Sequence, residues 1–174
     1  MVWRRIAKSL REGPATEPAA PVAEETISAL VAQLDAAAQA RLGRSLSIRH
    51  VDAGSCNGCE LEIHALNTIV YDLERFGLRF VASPRHADIL LVTGPLTRNL
   101  REALERTWDA TPDPKWVVAV GDCALDGGVF KGSYAVDGGI GAAVPVNLVI
   151  TGCPPSPGQL LIGLRALLEA NARD

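Results

Sequence analysis

The sequence contains no run of about 18 apolar residues, so no segment is expected to span a membrane. Aromatic residues make up only 5% of the chain, whereas 48% of its residues are hydrophobic, which is typical of a globular Ala/Val/Leu-rich core. The 17 basic and 20 acidic residues are too evenly balanced to indicate a nucleic-acid-binding surface. The first ten residues lack a cleavable apolar region, and we therefore expect a cytoplasmic protein. In that compartment cysteines are more often ligands or redox groups than disulfides.

The N-terminal 45 residues differ in composition from the rest of the chain. Residues 1–11 have the pattern of a short basic amphipathic helix, and it is left open whether they form a frayed tail or dock on a partner or membrane surface. Residues 13–21 are a Pro/Ala linker, and residues 24–42 regain a helical period. We therefore predict an N-terminal helical extension over residues 1–45, followed by one domain over residues 46–174.

Short apolar runs alternate with helical stretches from residue 46 onward. The strand candidates are residues 46–52, 78–82, 88–93, 116–121 and 146–151. The helix candidates are residues 59–75, 97–110 and 157–170. Several strands lack the apolar–polar alternation of half-exposed strands, which favours parallel strands buried on both faces. The pattern predicts an α/β fold with a doubly wound parallel sheet.

The chain has four cysteines, Cys56, Cys59, Cys123 and Cys153, and each follows a predicted strand. Together they lie beyond the carboxyl ends of three different strands, where ligands bind in open α/β sheets. None is predicted to lie inside a strand or helix, as a structural apolar cysteine would. Glycines that allow tight loops and close backbone approach stand nearby, at Gly54, Gly58, Gly121 and Gly152.

Three kinds of site could use these thiols. A [4Fe–4S] cluster and a structural zinc ion both take four cysteines. A zinc ribbon usually has two close pairs, whereas here 63 residues separate Cys59 from Cys123 and 29 separate Cys123 from Cys153. A thioredoxin-type dithiol would leave Cys123 and Cys153 unused. The spacing favours a cluster and leaves zinc or dithiol chemistry open.

Several motifs in order give the chain a family resemblance. They are DAGSCNGCELE at residues 52–62, VTGP at 92–95, GDCA at 121–124, GGVFKGSY at 127–134, VPVN at 144–147 and GCPPSP at 152–157. Over about residues 46–170 the sequence resembles the family shared by the 20-kDa subunit of respiratory NADH:quinone oxidoreductase and the small subunits of energy-converting NiFe hydrogenases. The respiratory subunit has two adjacent cysteines at the first position. Here two residues separate them, which is similar to the hydrogenase-4, formate hydrogenlyase and CO-induced branch.

The resemblance implies a flavodoxin-like fold without flavin, in which Cys56, Cys59, Cys123 and Cys153 bind one proximal [4Fe–4S] cluster. It implies an electron-transfer subunit with no catalytic residue of its own, beside a hydrogenase-type large subunit that carries the active site. Further implied partners are a ferredoxin-like iron–sulfur subunit and integral membrane subunits. The complex would lie on the cytoplasmic face of the inner membrane. A quinone-reducing subunit of the same family and a zinc-stabilised binding module remain alternatives.

Other polar residues carry weaker signals. Glu60 follows the cysteine pair at a predicted helix start, where a carboxylate suits the helix dipole, as does Glu62. A proton relay through Glu60 is the alternative hypothesis. His64 is predicted to be a surface or interface residue, and no role is predicted for His50 or His86.

The glycine-rich segment 127–141 is predicted to be a long loop near the cysteines. By the resemblance this loop faces the large subunit, and Phe130 and Tyr134 are candidate interface anchors. Arg98 and Arg101 are predicted to lie on the solvated face of a helix.

Overall fold

The computed structural model describes residues 24–76 and 78–171. The predicted amphipathic helix at 1–11 and the linker at 13–21 lie outside these residues. None of the helices within the described part of the chain is long and apolar enough to cross a membrane.

Within residues 24–76 and 78–171, five parallel strands form a single sheet in the order β2-β1-β3-β4-β5. The strands are β1 (Ser47–Asp52), β2 (Arg79–Phe80), β3 (Ile89–Thr93), β4 (Trp116–Val120) and β5 (Leu148–Ile150). All five residues of β3 and of β4 are buried, because helices cover both faces of the sheet. Strand order reverses between β1 and β3, as in flavodoxin-like folds. The predicted flavodoxin-like, doubly wound parallel sheet is confirmed.

In the part of the chain that the structure describes, five α-helices pack against the two faces of the sheet. They are α1 (Glu24–Leu42), α2 (Gly58–Ala65), α3 (Arg98–Ala110), α4 (Asp122–Asp126) and α5 (Pro157–Asn171). Helices α1, α2 and α5 contribute Leu34, Ile63 and Leu164 to one apolar cluster. Helices α3 and α4 contribute Leu104 and Ala124 to a second cluster on the opposite face. An N-terminal helix is therefore present, and it packs into the core with the later elements.

The predicted helix over residues 59–75 is wrong in its length. Helix α2 ends at Ala65, and the chain turns before a 3-10 helix at Leu73–Phe76. The Thr68 hydroxyl donates to the Ala65 carbonyl, and Asp72 has a φ of 43°, in the left-handed region. A hydroxyl that bonds the preceding turn and a left-handed residue both interrupt a regular α-helix.

Candidate metal centre

All four cysteines line one cavity of about 120 Å³ at the carboxyl ends of β1, β4 and β5. The other lining residues come from the same loops and from the turn after β3: Ser55, Gly58, Gly94, Asp122, Gly152 and Pro154. The thiols are all free. The topology thus brings together side chains that are far apart in the sequence, at the edge of the sheet where α/β proteins bind ligands.

The first cysteine loop is shaped by Asp52, the last residue of β1. Its carboxylate accepts hydrogen bonds of 2.7 Å from the backbone N–H groups of Gly54 and Ser55. Asn57 then adopts a left-handed φ of 70° just before α2 begins at Gly58. These bonds reverse the chain so that it enters the helix beside the cavity.

Two cysteines lie inside helices, so the prediction that none would do so is wrong. Cys59 is the second residue of α2, and Cys123 is the second residue of α4. Both occupy a first turn, where backbone N–H groups lack partners within the helix. The ends of β1, β4 and β5 were predicted to within one residue, but α4 is too short to show a helical period in the sequence.

Strands β4 and β5 end side by side and carry Cys123 and Cys153 into the cavity. Beyond the strands, the Gly121 N–H donates to the Ile150 carbonyl at 2.7 Å. One residue later, the Asp122 N–H donates to the Gly152 carbonyl at 3.0 Å. The Asp122 carboxylate accepts from the Gly152 N–H at 2.8 Å.

Two glycines come so close to the cysteines that no side chain would fit. A Cβ atom on Gly121 would lie 2.7 Å from the Cys59 sulfur, and one on Gly128 would lie 2.9 Å from the Cys123 sulfur. The sequence indicated the importance of Gly121 but missed Gly128, whose contact depends on the turn after α4. At Gly54, by contrast, the added atom would meet Thr97 and not a cysteine.

Burial and mutual proximity oppose ionisation of two of the thiols. The pKa of Cys59 is raised to about 12, first by burial and then by the nearby Glu60 carboxylate and the other three cysteines. Burial also raises the pKa of Cys123, with contributions from Cys153 and Cys56, while a backbone hydrogen bond from Val129 opposes the rise. Four thiols crowded in this way favour a bound cation, because metal binding compensates the negative charge of the thiolates.

The donor set fits a metal centre of the iron–sulfur type, which is held by cysteine thiolates. The cavity supplies four of them, and the absence of a Cβ at Gly121 keeps space beside Cys59. Among residues 24–76 and 78–171, no three His, Cys, Asp or Glu side chains converge closely enough to hold a single metal ion.

Glu60 lies buried beneath the first cysteine loop. Its Oε1 accepts a hydrogen bond from the Thr93 hydroxyl, and its Oε2 is buried without a hydrogen-bond partner in the described structure. The half-buried His50 places Nε2 3.0 Å from the Thr93 hydroxyl and 3.7 Å from Glu60 Oε1. Burial lowers the pKa of His50. The hypothesis that Glu60 relays a proton stays a prediction, and His50, for which no role was predicted, belongs to this group.

The glycine-rich segment 127–141 is fastened to the start of α3 by two arginines. Both Arg98 and Arg101 place Nε 3.1 Å from the Asp137 carboxylate, and Arg101 also donates to the Ala142 carbonyl. Arg98 is 63% exposed and Arg101 is 34% exposed. The prediction of a merely solvated face missed this function, because the pairing partner lies 36 or more residues away in the sequence.

Several apolar side chains on the cysteine-bearing helices and in the glycine-rich segment are exposed. Tyr134 is 87% exposed and Phe130 is 38% exposed, and both lie in or next to the glycine-rich segment. Cys56 and Cys153 are themselves exposed, whereas Cys123 is buried. Leu61, Leu125 and Val129 add further exposed apolar surface from the cysteine-bearing helices and the following turn. The role of Phe130 and Tyr134 as interface anchors stays a prediction.

Two relatives align with most of this chain. It is 44% identical to formate hydrogenlyase subunit 7 of Escherichia coli over 143 residues, covering 82% of this chain and 56% of that protein. The chain thus spans little more than half the length of that relative. It is 47% identical to the probable membrane-bound hydrogenase subunit mbhJ of Pyrococcus furiosus over 132 residues, covering 76% of this chain and 79% of that protein.

A solved structure is similar to this chain in both fold and sequence. The chain matches a subunit of the membrane-bound sulfane sulfur reductase, an archaeal respiratory membrane complex, with a TM-score of 0.64 and 35% sequence identity. The match covers 76% of this chain and 71% of that one. The family model described as NADH ubiquinone oxidoreductase, 20 Kd subunit, matches residues 56–167, which include all four cysteines. The chain therefore belongs to the 20-kDa subunit family of NADH:ubiquinone oxidoreductase, within which its relatives include hydrogenase-type subunits of membrane-associated complexes.

Proposed function

We propose that this protein is the electron-transfer small subunit of a membrane-associated NiFe hydrogenase-type complex, and that it holds one proximal [4Fe–4S] cluster. The observation that carries the proposal is that Cys56, Cys59, Cys123 and Cys153 line one cavity. Membership of an oxidoreductase family and the names of the hydrogenase relatives support the same function.

The arrangement of the thiols supports a cluster over a single zinc ion. In a zinc site four sulfur atoms surround one point at about 2.3 Å. Here the sulfurs come from three loops and border an open volume of about 120 Å³, which suits a body of several atoms. The spacing of the cysteines in the sequence also favours a cluster, because a zinc ribbon usually has two close cysteine pairs and this chain has one.

The protein's own part in the chemistry is to bind, position and shield. A bound [4Fe–4S] cluster would supply one-electron transfer. Cys59 and Cys123 hold it from the inner side of the cavity, and the first turns of α2 and α4 present backbone N–H groups nearby. Such donors and the exclusion of water tune a reduction potential. Hydrogen chemistry would take place in the large subunit.

The exposed side of the cavity is the surface at which we place that large subunit. Cys56 and Cys153 are exposed there, and Phe130 and Tyr134 expose apolar surface in the glycine-rich segment that follows α4. A docked large subunit would cover these residues and keep water from the cluster. Electrons would continue to a ferredoxin-like subunit, and integral membrane subunits would fix the complex to the cytoplasmic face of the inner membrane.

A quinone-reducing subunit is the second candidate, since the matching family is described by that respiratory enzyme. The separation of Cys56 and Cys59 by two residues is similar to the hydrogenase branch and disfavours it. The sequence of the neighbouring large subunit separates the two, because a NiFe site needs cysteine pairs in that partner.

The first experiment is an anaerobic visible spectrum and low-temperature EPR of the purified chain before and after dithionite, with iron and zinc counted. We expect a brown protein with about four irons and a cluster signal after reduction. A Cys123→Ser variant should lose iron, whereas Ser133→Ala, an exposed change outside the cavity, should retain it. A colourless protein with one zinc that stays unchanged after treatment with iron and sulfide would contradict the proposal.

A further inference from the structure

The pairing of β4 with β5 continues beyond the last strand residues through a side chain. Val120 pairs with Ile150 at the end of the ladder, and the Asp122 N–H then donates to the Gly152 carbonyl at 3.0 Å. The Gly152 N–H donates at 2.8 Å to Oδ1 of Asp122. The Asp122 carboxylate thus acts as the acceptor that a further strand residue would have provided.

This pair of bonds lies directly before two cysteines on different loops. Cys123 follows Asp122, and Cys153 follows Gly152, and both cysteines line the cavity. The chain after Cys153 is Pro154 and Pro155, which have no backbone N–H and so cannot themselves donate to β4 or α4. The hydrogen bond from the Gly152 N–H to Asp122 is therefore positioned to set the location of the Cys153 thiol.

We propose that Asp122 is a positioning residue, which holds the Cys153 loop at a set separation from Cys123 by accepting the Gly152 N–H. The inference rests on the proposed function of the four cysteines as cluster ligands. It concerns one acceptor oxygen and not the charge of the carboxylate. An asparagine at this position keeps the acceptor and removes the charge, whereas an alanine removes both.

A second role of Asp122 must be separated from this one. Asp122 is also the acidic residue in the first turn of α4, where a negative charge favours the helix. If that charge were its contribution, Asp122→Asn and Asp122→Ala would behave alike. If the acceptor oxygen matters, only Asp122→Ala should be impaired.

The opposite end of the same two strands provides a matched control. There the Asn147 N–H donates to the Val117 carbonyl at 2.9 Å, and the Val117 N–H donates to Asn147 Oδ1 at 2.8 Å. This is the same reciprocal pattern between the same parts of the chain, but neither residue lines the cysteine cavity. Asn147→Ala therefore removes an equivalent bond without touching the cysteine loops.

The test measures the rate at which an iron chelator removes iron from the full chain loaded with its cluster, together with the EPR spectrum of the reduced protein. Loss of a hydrogen bond of this kind should accelerate iron loss about tenfold or more in Asp122→Ala and broaden or shift its signal. Asp122→Asn and Asn147→Ala should stay within about twofold of the parent chain. The inference would be overturned if Asp122→Ala lost iron at the rate of the parent chain. It would also be overturned if Asn147→Ala or Asp122→Asn lost iron as fast as Asp122→Ala.

A measurement on the metal-free chain separates this inference from the proposed function. Amide hydrogen exchange at Gly152 should be fast in Asp122→Ala and slow in the parent chain, in Asp122→Asn and in Asn147→Ala. A parent chain that takes up no iron would refute the proposed function, and the exchange at Gly152 would still decide whether Asp122 holds the loop. Unchanged exchange in Asp122→Ala would refute the positioning role even if the cluster is present.

Discussion

Gly121 combines a positive φ with a close approach to the sulfur of Cys59. Its φ of 87° and the 2.7 Å approach of an added Cβ to the Cys59 sulfur predict two effects of Gly121→Ala. With a ψ of 161°, this backbone conformation is essentially restricted to glycine, and Gly121→Ala should reduce the free energy of unfolding by about 1–3 kcal/mol. The contact should displace Cys59 and lower the iron retained per chain, which reconstitution followed by iron counting measures.

Gly132→Ala is the control for this change. Gly132 has nearly the same φ, 82°, but an added Cβ would have no neighbour within 4 Å. Urea unfolding should therefore show a backbone effect of the positive φ for Gly132→Ala as well, while iron binding stays normal. Equal iron content in Gly121→Ala and Gly132→Ala would contradict the importance of the contact with Cys59.

Single residues differ in how far the sequence predicts their position. The cysteines follow apolar runs whose strand character is evident, so the loops that carry them could be assigned before the structure was known. His50 lies within β1, and it joins the site through its contact with Thr93 on the neighbouring strand β3. Such a contact between strands leaves no local pattern. The buried position of Glu60 was hidden for the same reason.

The glycine-rich segment 127–141 depends on an ion-pair group at its end. Asp137 accepts hydrogen bonds from Arg98 and Arg101, and those bonds lower the pKa of Asp137 below its ordinary value. We expect Asp137→Ala to increase amide hydrogen exchange in the segment, because two side-chain links to α3 are lost, while the backbone bond from the Arg98 N–H to the Ala135 carbonyl remains. Mass-spectrometric exchange of the peptides over residues 131–142 measures this effect.

In the parent chain, low pH should increase amide hydrogen exchange in the segment 127–141, as Asp137→Ala does. A carboxyl group whose pKa is lowered in the folded state contributes stability above its unfolded pKa, near 3.9, and loses it as the pH falls through the lowered value. Exchange in the segment, corrected for the intrinsic pH effect, should therefore rise more in acid in the parent chain than in Asp137→Ala, since Asp126, which bonds Lys131 and the Gly128 N–H, titrates in both. Glu102→Gln, which removes an exposed pair with Arg106 on α3, is the control and should leave the segment unchanged.

Element boundaries were predicted well where apolar burial defines them and poorly where a turn does. The predicted strand at 116–121 corresponds to β4 at Trp116–Val120, and the predicted helix at 157–170 to α5 at Pro157–Asn171. Strand β2 contracts to Arg79–Phe80, because an edge strand pairs on one side alone. Its predicted range, 78–82, depended on apolar residues of which Leu78 packs into the core from outside the strand.

Helix α1 links the N-terminal region to the whole molecule. Leu34 is fully buried and belongs to the apolar cluster that includes α5. Leu34→Ala should therefore reduce the free energy of unfolding by about 2–5 kcal/mol in a single transition. Urea unfolding followed by circular dichroism measures the change.

The exposed Ile162 on α5 is the control, and Ile162→Ala should change stability by about 0.5 kcal/mol or less. The same experiment tests the predicted boundary between residues 1–45 and 46–174, which stays a prediction. A small effect of Leu34→Ala would favour an extension that folds separately. A large effect would place α1 in the same cooperative unit as the sheet.

The fold class followed from the sequence because buried parallel strands and crossover helices leave a repeating apolar pattern. The strand order did not follow from that pattern, since it depends on pairings such as Val51 with Val92 and Ala119 with Val149. The family resemblance supplied what the pattern could not. It also supplied the set of four cysteines as a ligand group, which the structure then brings around one cavity.

The position of β5 has a consequence for how the protein is made in the cell. Among the described residues this strand is the last of the sheet, and β4 is its only neighbour there. The fourth thiol reaches the others only after β5 has been synthesised and paired, so a nascent chain bearing Cys56, Cys59 and Cys123 still lacks a complete receptor for a cofactor. Loading would thus be a late step in biogenesis, and the folding of the final strand would act as its checkpoint.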